Sequence, residues 1–242
     1  MSNSYRYSHL YKGNDYDDMF ITDARLKSWE SIERNILLDA VVRHFPEGGP
    51  RHLDFACGTG RIIGYVQGAV RHSTGIDISK SMVDIAELKN FQADYIVGDF
   101  SDLNKLTSKF QDQKYDLITA FRFFTNAEKE LKESVLDNIQ LLLNTGGIII
   151  INNHLNSDSL LSRLLRILHR DMGGIGKEDF EKLFARANLQ IVEMIGIGIL
   201  PFRHRQGLLL QISTYLDSVL RKFSIFNRLA INLVYVLRPV ND

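Results

Sequence analysis

Between Arg51 and His154 short apolar runs alternate with amphipathic stretches, and this alternation restricts the fold more than any other feature of the chain. A strand followed each time by a helix must cross over before the next strand begins. The outcome is a parallel sheet covered by helices, an α/β fold. Strands are predicted at His52–Phe55, His72–Asp77, Ala93–Val97, Tyr115–Phe121 and Gly147–His154. Helices are predicted at Gly60–Gln67, Lys80–Leu88, Leu103–Lys109 and Ala127–Leu143. In the last of these Leu131, Val135, Leu136, Ile139 and Leu142 share one face, and Asn144–Gly147 supplies the stop. Upstream, Leu26, Trp29, Ile32, Ile36, Leu37, Ala40 and Val41 recur at three- and four-residue steps, giving a helix that starts at Thr22 or Asp23 and closes at Pro46–Pro50. After His154 the rhythm loosens into helices at Asp158–His169, Lys177–Ala187 and Leu208–Phe226, with apolar runs at Leu189–Leu200 and Ile231–Leu237.

The length of 242 residues exceeds one domain of roughly 150, but no linker divides the chain. The expected organisation is an amino-terminal arm and cap helix over residues 1–50 and one domain over 51–242, with cap elements at 155–176 and 202–227. The 29 basic and 29 acidic residues cancel, so no overall field draws the chain to a polyanion and a nucleic acid partner is not expected. One cysteine forms neither an intramolecular disulfide nor a cysteine-rich zinc site, and no metal centre is expected. The polar start Met1–Lys12 lacks the layout of a signal peptide, and the apolar runs fall short of the roughly 20 residues of a membrane helix. A reduced, cytoplasmic protein without an integral membrane segment is the expectation.

The most informative segment is Leu53-Asp54-Phe55-Ala56-Cys57-Gly58-Thr59-Gly60-Arg61, between a strand and a helix. Glycines at such a turn let backbone approach a ligand, and a nucleotide cofactor is the natural occupant. Asp77 closes the next strand about 20 residues on, where a carboxylate can accept two ribose hydroxyls. Asp99 closes the strand after that, placed to accept from an exocyclic amine such as that of adenine. Each acid alone also reads as a turn or cap residue. A dinucleotide fingerprint wants a small residue where this chain has Ile63, with Gly64 one step late, which disfavours an NAD-dependent oxidoreductase. No Gly-Lys-Ser/Thr follows to make a P-loop.

These residues resemble the class I S-adenosylmethionine-dependent methyltransferases of the bacterial small-molecule type. The resemblance runs from about Arg51 to His154 through Leu53–Gly60, Gly75–Ser79 with Met82, Gly98–Phe100, Tyr115–Phe124 and Leu141–Ile151, in order and spacing. It implies a Rossmann-like, doubly wound seven-stranded sheet in the order 3-2-1-4-5-7-6, the last strand antiparallel, with added cap helices at both termini. It further implies S-adenosyl-L-methionine as cofactor and S-adenosyl-L-homocysteine as product. Ala56, Gly58 and Gly60 would shape the turn around the methionine part and Asp54 would steady it. Asp77 would hold the ribose, Ile78 and Met82 the adenine face, Asp99 the adenine amine, Phe100 the ring edge, and Phe121 the floor beneath the sulfonium. The segment Ala120-Phe121-Arg122-Phe123-Phe124 departs from the Asn/Asp-Pro-Pro-aromatic motif of nucleobase amino methyltransferases.

Methyl transfer is a displacement in which alignment does much of the catalysis. For a hydroxyl acceptor on a small molecule, His154 at the end of the fifth strand is the candidate general base, its alternative reading being a strand cap. Arg122, beside it, reads as a clamp for an acidic group or as half of an ion pair with the amino-terminal arm; Asn126 and Asn153 read as substrate-orienting or loop residues. Arg25 and Trp29 read as a cover over the cofactor or as packing. The insertion at 202–227 combines leucines with Arg203, His204, Arg205, Arg221 and Lys222. With Arg228 beside them, it reads as a cap with a solvated basic edge, an anionic or lipid-linked acceptor site, a dock for a partner helix or a membrane-surface element, and the apolar carboxyl-terminal segment permits a homodimer. A cofactor-binding accessory subunit without catalysis is the remaining alternative.

Overall fold

A computed structural model describes residues 24–89, 92–99, 101–102, 108–110, 113–168, 173–200 and 208–240. In chain order the elements are α1 (Ala24–His44), β1 (Arg51–Phe55), α2 (Arg61–Val66), β2 (His72–Asp77), α3 (Lys80–Lys89), β3 (Ala93–Val97), β4 (Tyr115–Ala120) and α4 (Lys129–Gln140). There follow β5 (Leu143–Asn153), α5 (Leu160–Ile167), α6 (Lys177–Arg186), β6 (Leu189–Ile197), α7 (Leu208–Leu220), α8 (Ser224–Asn227) and β7 (Asn232–Pro239).

The seven strands form one sheet in the order β3-β2-β1-β4-β5-β7-β6. β7 runs antiparallel to both neighbours and the other pairs are parallel, as the family resemblance implied. The apolar run of β5 is buried on both faces, as parallel strands require. Ile149 and Ile151 pack into the layer built on α4 and α6, whereas Ile148 and Ile150 pack into the layer built on α1 and α2. Each such isoleucine contributes roughly 1.5–3 kcal/mol. In the first layer Phe180 of α6 stacks on Tyr235 of β7, with centroids 5.7 Å apart.

Several boundaries differ from the sequence expectation, each for a local reason. β5 begins at Leu143 rather than Gly147, because Leu143 pairs with Tyr115 before the register jumps to Leu117 and Ile148. Asp116 holds this irregularity, accepting from Asn144 Nδ2 at 2.7 Å and from the Arg51 N–H at 2.8 Å. β4 stops at Ala120 because Arg122 adopts a left-handed φ of 61°. β6 stops at Ile197, before Gly198 at φ 72°. The helix expected over Leu208–Phe226 is two helices, since Phe223 is extended and the Lys222 N–H closes an i−3 bond to Val219 O. Most of the helix expected at Leu103–Lys109 lies outside the described residues, as do the arm at 1–23 and Arg203, His204 and Arg205. Among the described residues no helix is long and apolar enough to cross a membrane, and no three His, Cys, Asp or Glu side chains cluster as a metal site.

Candidate active site

The glycine turn takes its shape from three left-handed residues, Ala56 (φ 55°), Gly58 (φ 54°) and Gly60 (φ 76°). At Ala56 this conformation costs about 1–2 kcal/mol, so the surroundings must enforce it. They do so from β2. The Cys57 N–H donates to Ile76 O at 3.0 Å, and Asp77 Oδ2 accepts the Gly58 N–H at 2.8 Å. Asp77 Oδ1 accepts the Ser79 N–H at 2.8 Å, so one carboxylate joins the turn after β1 to the turn after β2. α2 packs closely against β2 although Ile63 stands where a small residue was the requirement. The opposing Gly75 makes the room, since a Cβ there would meet Ile63 Cδ1 and Tyr95 Cδ1 at 2.8 Å.

A cavity of about 210 Å³ opens beyond the carboxyl ends of the strands, where the strand order reverses between β1 and β4. Ligands of open α/β sheets occupy this place. Asp54, Asp77 and Asp99 reach it from the ends of three adjacent strands, with Ile78 and Met82 beyond β2. Phe121, Arg122 and Asn126 line it from beyond β4, and His154 from beyond β5. Charge is therefore divided, acidic toward β3 and basic toward β5.

Asp54 is buried, and its Oδ2 makes no hydrogen bond. Its Oδ1 accepts from Thr119 Oγ1 at 2.6 Å; Thr119 is 2.8 Å from His52 Nε2, and His52 Nδ1 is 3.0 Å from Ser73 Oγ. Because Thr119 spends its hydrogen on Asp54, its oxygen accepts from His52 Nε2–H, which leaves Nδ1 to accept from Ser73. The four side chains thus form a directed chain across β2, β1 and β4. Burial pushes the Asp54 carboxyl up to about 7, against the pull of the Thr119 hydrogen bond and the Arg61 charge. Burial likewise takes His52 down to about 3, so its ring is neutral.

On the basic side, Glu33 of α1 is a buried carboxylate serving three elements. Its Oε2 accepts from Arg61 Nη1 at 2.5 Å, and its Oε1 lies 3.2 Å from Asn152 Nδ2 and 3.5 Å from Asn232 Nδ2. Burial acts to raise Glu33, but the charges of Arg61 and Arg122 and these hydrogen bonds hold its carboxyl below the usual value. Arg122 thus faces an acid of the cap helix, while its backbone N–H donates to Asn152 Oδ1 at 2.6 Å.

A methyltransferase-domain family model matches residues 53–147. Over this stretch the chain is similar to a methyltransferase domain. A curated relative, demethylmenaquinone methyltransferase from Thermotoga maritima, is 35% identical over 86 residues; the matched stretch is 34% of this chain and 35% of the relative, so the chain spans about a third of that protein's length. Solved structures extend the likeness over the whole fold. Magnesium protoporphyrin IX methyltransferase from Synechocystis, with bound SAH, aligns with TM-score 0.63 at 13% identity, covering 96% of this chain and 98% of that one. An S-adenosylmethionine-dependent methyltransferase from Clostridium acetobutylicum aligns with TM-score 0.58 at 18% identity, covering 93% and 96%. N-methyltransferase NodS from Bradyrhizobium japonicum, with bound SAH, aligns with TM-score 0.58 at 12% identity, covering 97% and 96%.

Two residues expected at the site stand away from the cavity wall. Gly60 caps α2 and donates its N–H to Cys57 O at 3.0 Å, shaping the turn from behind. Asn153 is fully buried and holds loops: Nδ2 donates to Ile175 O at 2.8 Å, and Oδ1 accepts from the Leu155 N–H at 3.3 Å. That is its loop reading rather than its substrate reading. Asp99 lines the cavity while its Oδ1 accepts from Ser101 Oγ at 2.6 Å, the bond of a turn residue. Phe100 and the Arg25 side chain lie outside the described residues, and Trp29 packs beside Gly198. Sequence reasoning missed Arg61, Glu33, His52 and Thr119. The signal for Glu33 was a charge sharing the face of Leu37 and Ala40, and for His52 a polar ring inside a buried strand.

Proposed function

We propose that this domain transfers a methyl group from S-adenosylmethionine to a small-molecule acceptor, with oxygen as the acceptor atom. The observation that carries the reading is the row of Asp54, Asp77 and Asp99 along one wall of a cavity whose opposite wall presents Arg122, Asn126 and His154. The residues fit the cofactor. The buried Asp54 Oδ2 has no hydrogen bond of its own and suits the amino-acid ammonium. Asp77, already fixed by two backbone N–H groups, retains lone pairs for ribose hydroxyls. Ile78 and Met82 offer an apolar face to adenine, and Asp99 an acceptor for its amine.

When bound, S-adenosylmethionine supplies a methyl group made electrophilic by its sulfonium. The chain's own work is placement and proton handling. Phe121, 6% exposed, keeps water from the sulfonium side, and Arg122 and Asn126 orient the acceptor. His154 takes the acceptor's hydroxyl proton as a general base, a role imidazole fills near neutral pH. The named substrates of the curated relative and of the Synechocystis neighbour, demethylmenaquinone and magnesium protoporphyrin IX, support an acceptor of small-molecule size. The free, buried Cys57 fits a reducing compartment, and we assign the enzyme to the cytoplasm.

Parallel calorimetric titrations with S-adenosylhomocysteine and NADH test the cofactor. Binding of S-adenosylhomocysteine that Asp77→Ala abolishes is expected; tight binding of NADH alone overturns the reading. Catalysis is tested by incubating the protein and labelled S-adenosylmethionine with a metabolite extract. Label transfer to a small molecule is expected, and none with a cofactor-saturated protein would favour an accessory subunit.

A further inference from the structure

Between Ile212 and Val219, α7 turns apolar side chains outward and its acid inward. Its one acidic or basic side chain, Asp217, is 8% exposed and accepts the Leu200 N–H on Oδ1 at 3.0 Å. Four of its apolar side chains face the other way, Ile212 being 45% exposed, Tyr215 68%, Leu216 43% and Val219 36%, while Leu220 packs against the core. A helix that covers the core presents the reverse pattern. The exposed stripe continues past the end of α7 through Phe223 (56%), Ile225 (57%) and Phe226 (36%).

The charge around this stripe has one sign. Exposed Lys222 and Arg228 bracket the Phe223–Phe226 segment, and Asp217 is the only acidic residue from 208 to 240. The location is also defined. Arg221 Nε donates to Gly196 O at 3.0 Å, tying the end of α7 to β6, and α8 leads into β7. The first residues of β7 pair with the last residues of β5, Asn153 with Leu233, so the face stands at the end of the sheet where the cavity opens.

We infer that α7 and α8 dock this methyltransferase domain on an anionic lipid surface, with α7 lying in the interface and Phe223, Ile225 and Phe226 entering the headgroup layer. An apolar stripe edged by cations matches such a surface in both polarity and charge. A second copy of the chain matches it less well. A two-fold pairing of this face sets cation against cation, because the exposed charges over residues 211–228 are Lys222 and Arg228 and no exposed acid among those residues neutralises them.

The test is co-sedimentation of the full chain with vesicles of phosphatidylglycerol and phosphatidylcholine, against vesicles of phosphatidylcholine alone. Binding is expected to the anionic vesicles only, to weaken with added salt, and to fall by more than about tenfold in the double variant Lys222→Glu/Arg228→Glu. Phe223→Ser/Ile225→Ser, which leaves the charges in place, is expected to lose binding at low salt as well. Melting curves matching the parent confirm that both variants fold. Equal binding to both vesicle types, no binding, or a lipid-free dimer in sedimentation velocity that the serine variant dissociates would each overturn the inference.

Discussion

Asp77 Oδ2 accepts the backbone N–H of Gly58 at 2.8 Å, so the carboxylate that ends β2 is built into the turn that leaves β1. Asp77→Ala removes this bond and the one to Ser79, each a charge-assisted bond of about 1.5–3 kcal/mol. S-adenosylhomocysteine affinity is expected to fall at least about tenfold and the melting temperature to drop. Asp77→Asn is expected to do little better, because its NH₂ must face one of the two N–H donors. Calorimetry and thermal unfolding measure both.

Asp54 and His52 give opposite pH dependences. The Asp54 carboxyl is raised to about 7 in the folded state from 3.8, so its ionisation lowers stability as pH rises through that window, by up to about 4 kcal/mol. The His52 ring is lowered to about 3 from 6.5, so the stability it confers is complete above 6.5 and is lost as pH falls toward 3. Asp54→Asn is expected to flatten the fall in stability toward pH 7, and His52→Val to reduce the loss on acidification. Urea unfolding between pH 4 and pH 8 reads both. Because an ammonium favours ionised Asp54, S-adenosylhomocysteine affinity is expected to rise through pH 7 in the parent and to stay level in Asp54→Asn.

Glu33→Ala leaves Arg61 and Arg122 without their buried carboxylate. Removing one partner of a buried pair costs about 3–5 kcal/mol. The double variant Glu33→Ala/Arg61→Met is expected to recover part of that loss in urea unfolding.

The chain has one tryptophan, Trp29, and Gly198 lies against its ring. A Cβ on Gly198 would meet the ring at 2.6 Å, at a backbone φ of 72° that disfavours alanine. Gly198→Ala is expected to destabilise by about 1–3 kcal/mol and to shift the tryptophan emission, which fluorescence records directly.

His154→Ala is expected to lower kcat by about 10²–10⁴ near neutral pH while S-adenosylhomocysteine affinity stays within twofold. Full turnover across pH would remove the general-base role.

Much of this was legible in the chain because strand periodicity and acids at strand ends are local signals. β1, β2 and β3 fall within a residue of their expected positions, and Asp54, Asp77 and Asp99 converge on one cavity. What escaped notice depends on distance. Asn153 has its partners in Ile175 and Leu155, and Glu33 has its own in β5 and β7. No spacing rule finds such partners, because the fold must exist before they meet. The start of β5 escaped for another reason: Leu143 belongs by periodicity to α4, and only its pairing with Tyr115 makes it strand.

The Glu33 contacts also set an order of events on the ribosome. The carboxylate lies 119 residues before Asn152 and 199 before Asn232. At about 5–20 residues synthesised per second, α1 emerges roughly 10–40 s before its last partner. Until then a nascent chain either keeps Glu33 in water, with α1 undocked, or holds it under the half-built sheet without Asn232. α1, the first of the described helices to be made, is therefore among the last to settle, and a chain that stalls before β7 leaves exposed the apolar face that α1 should cover.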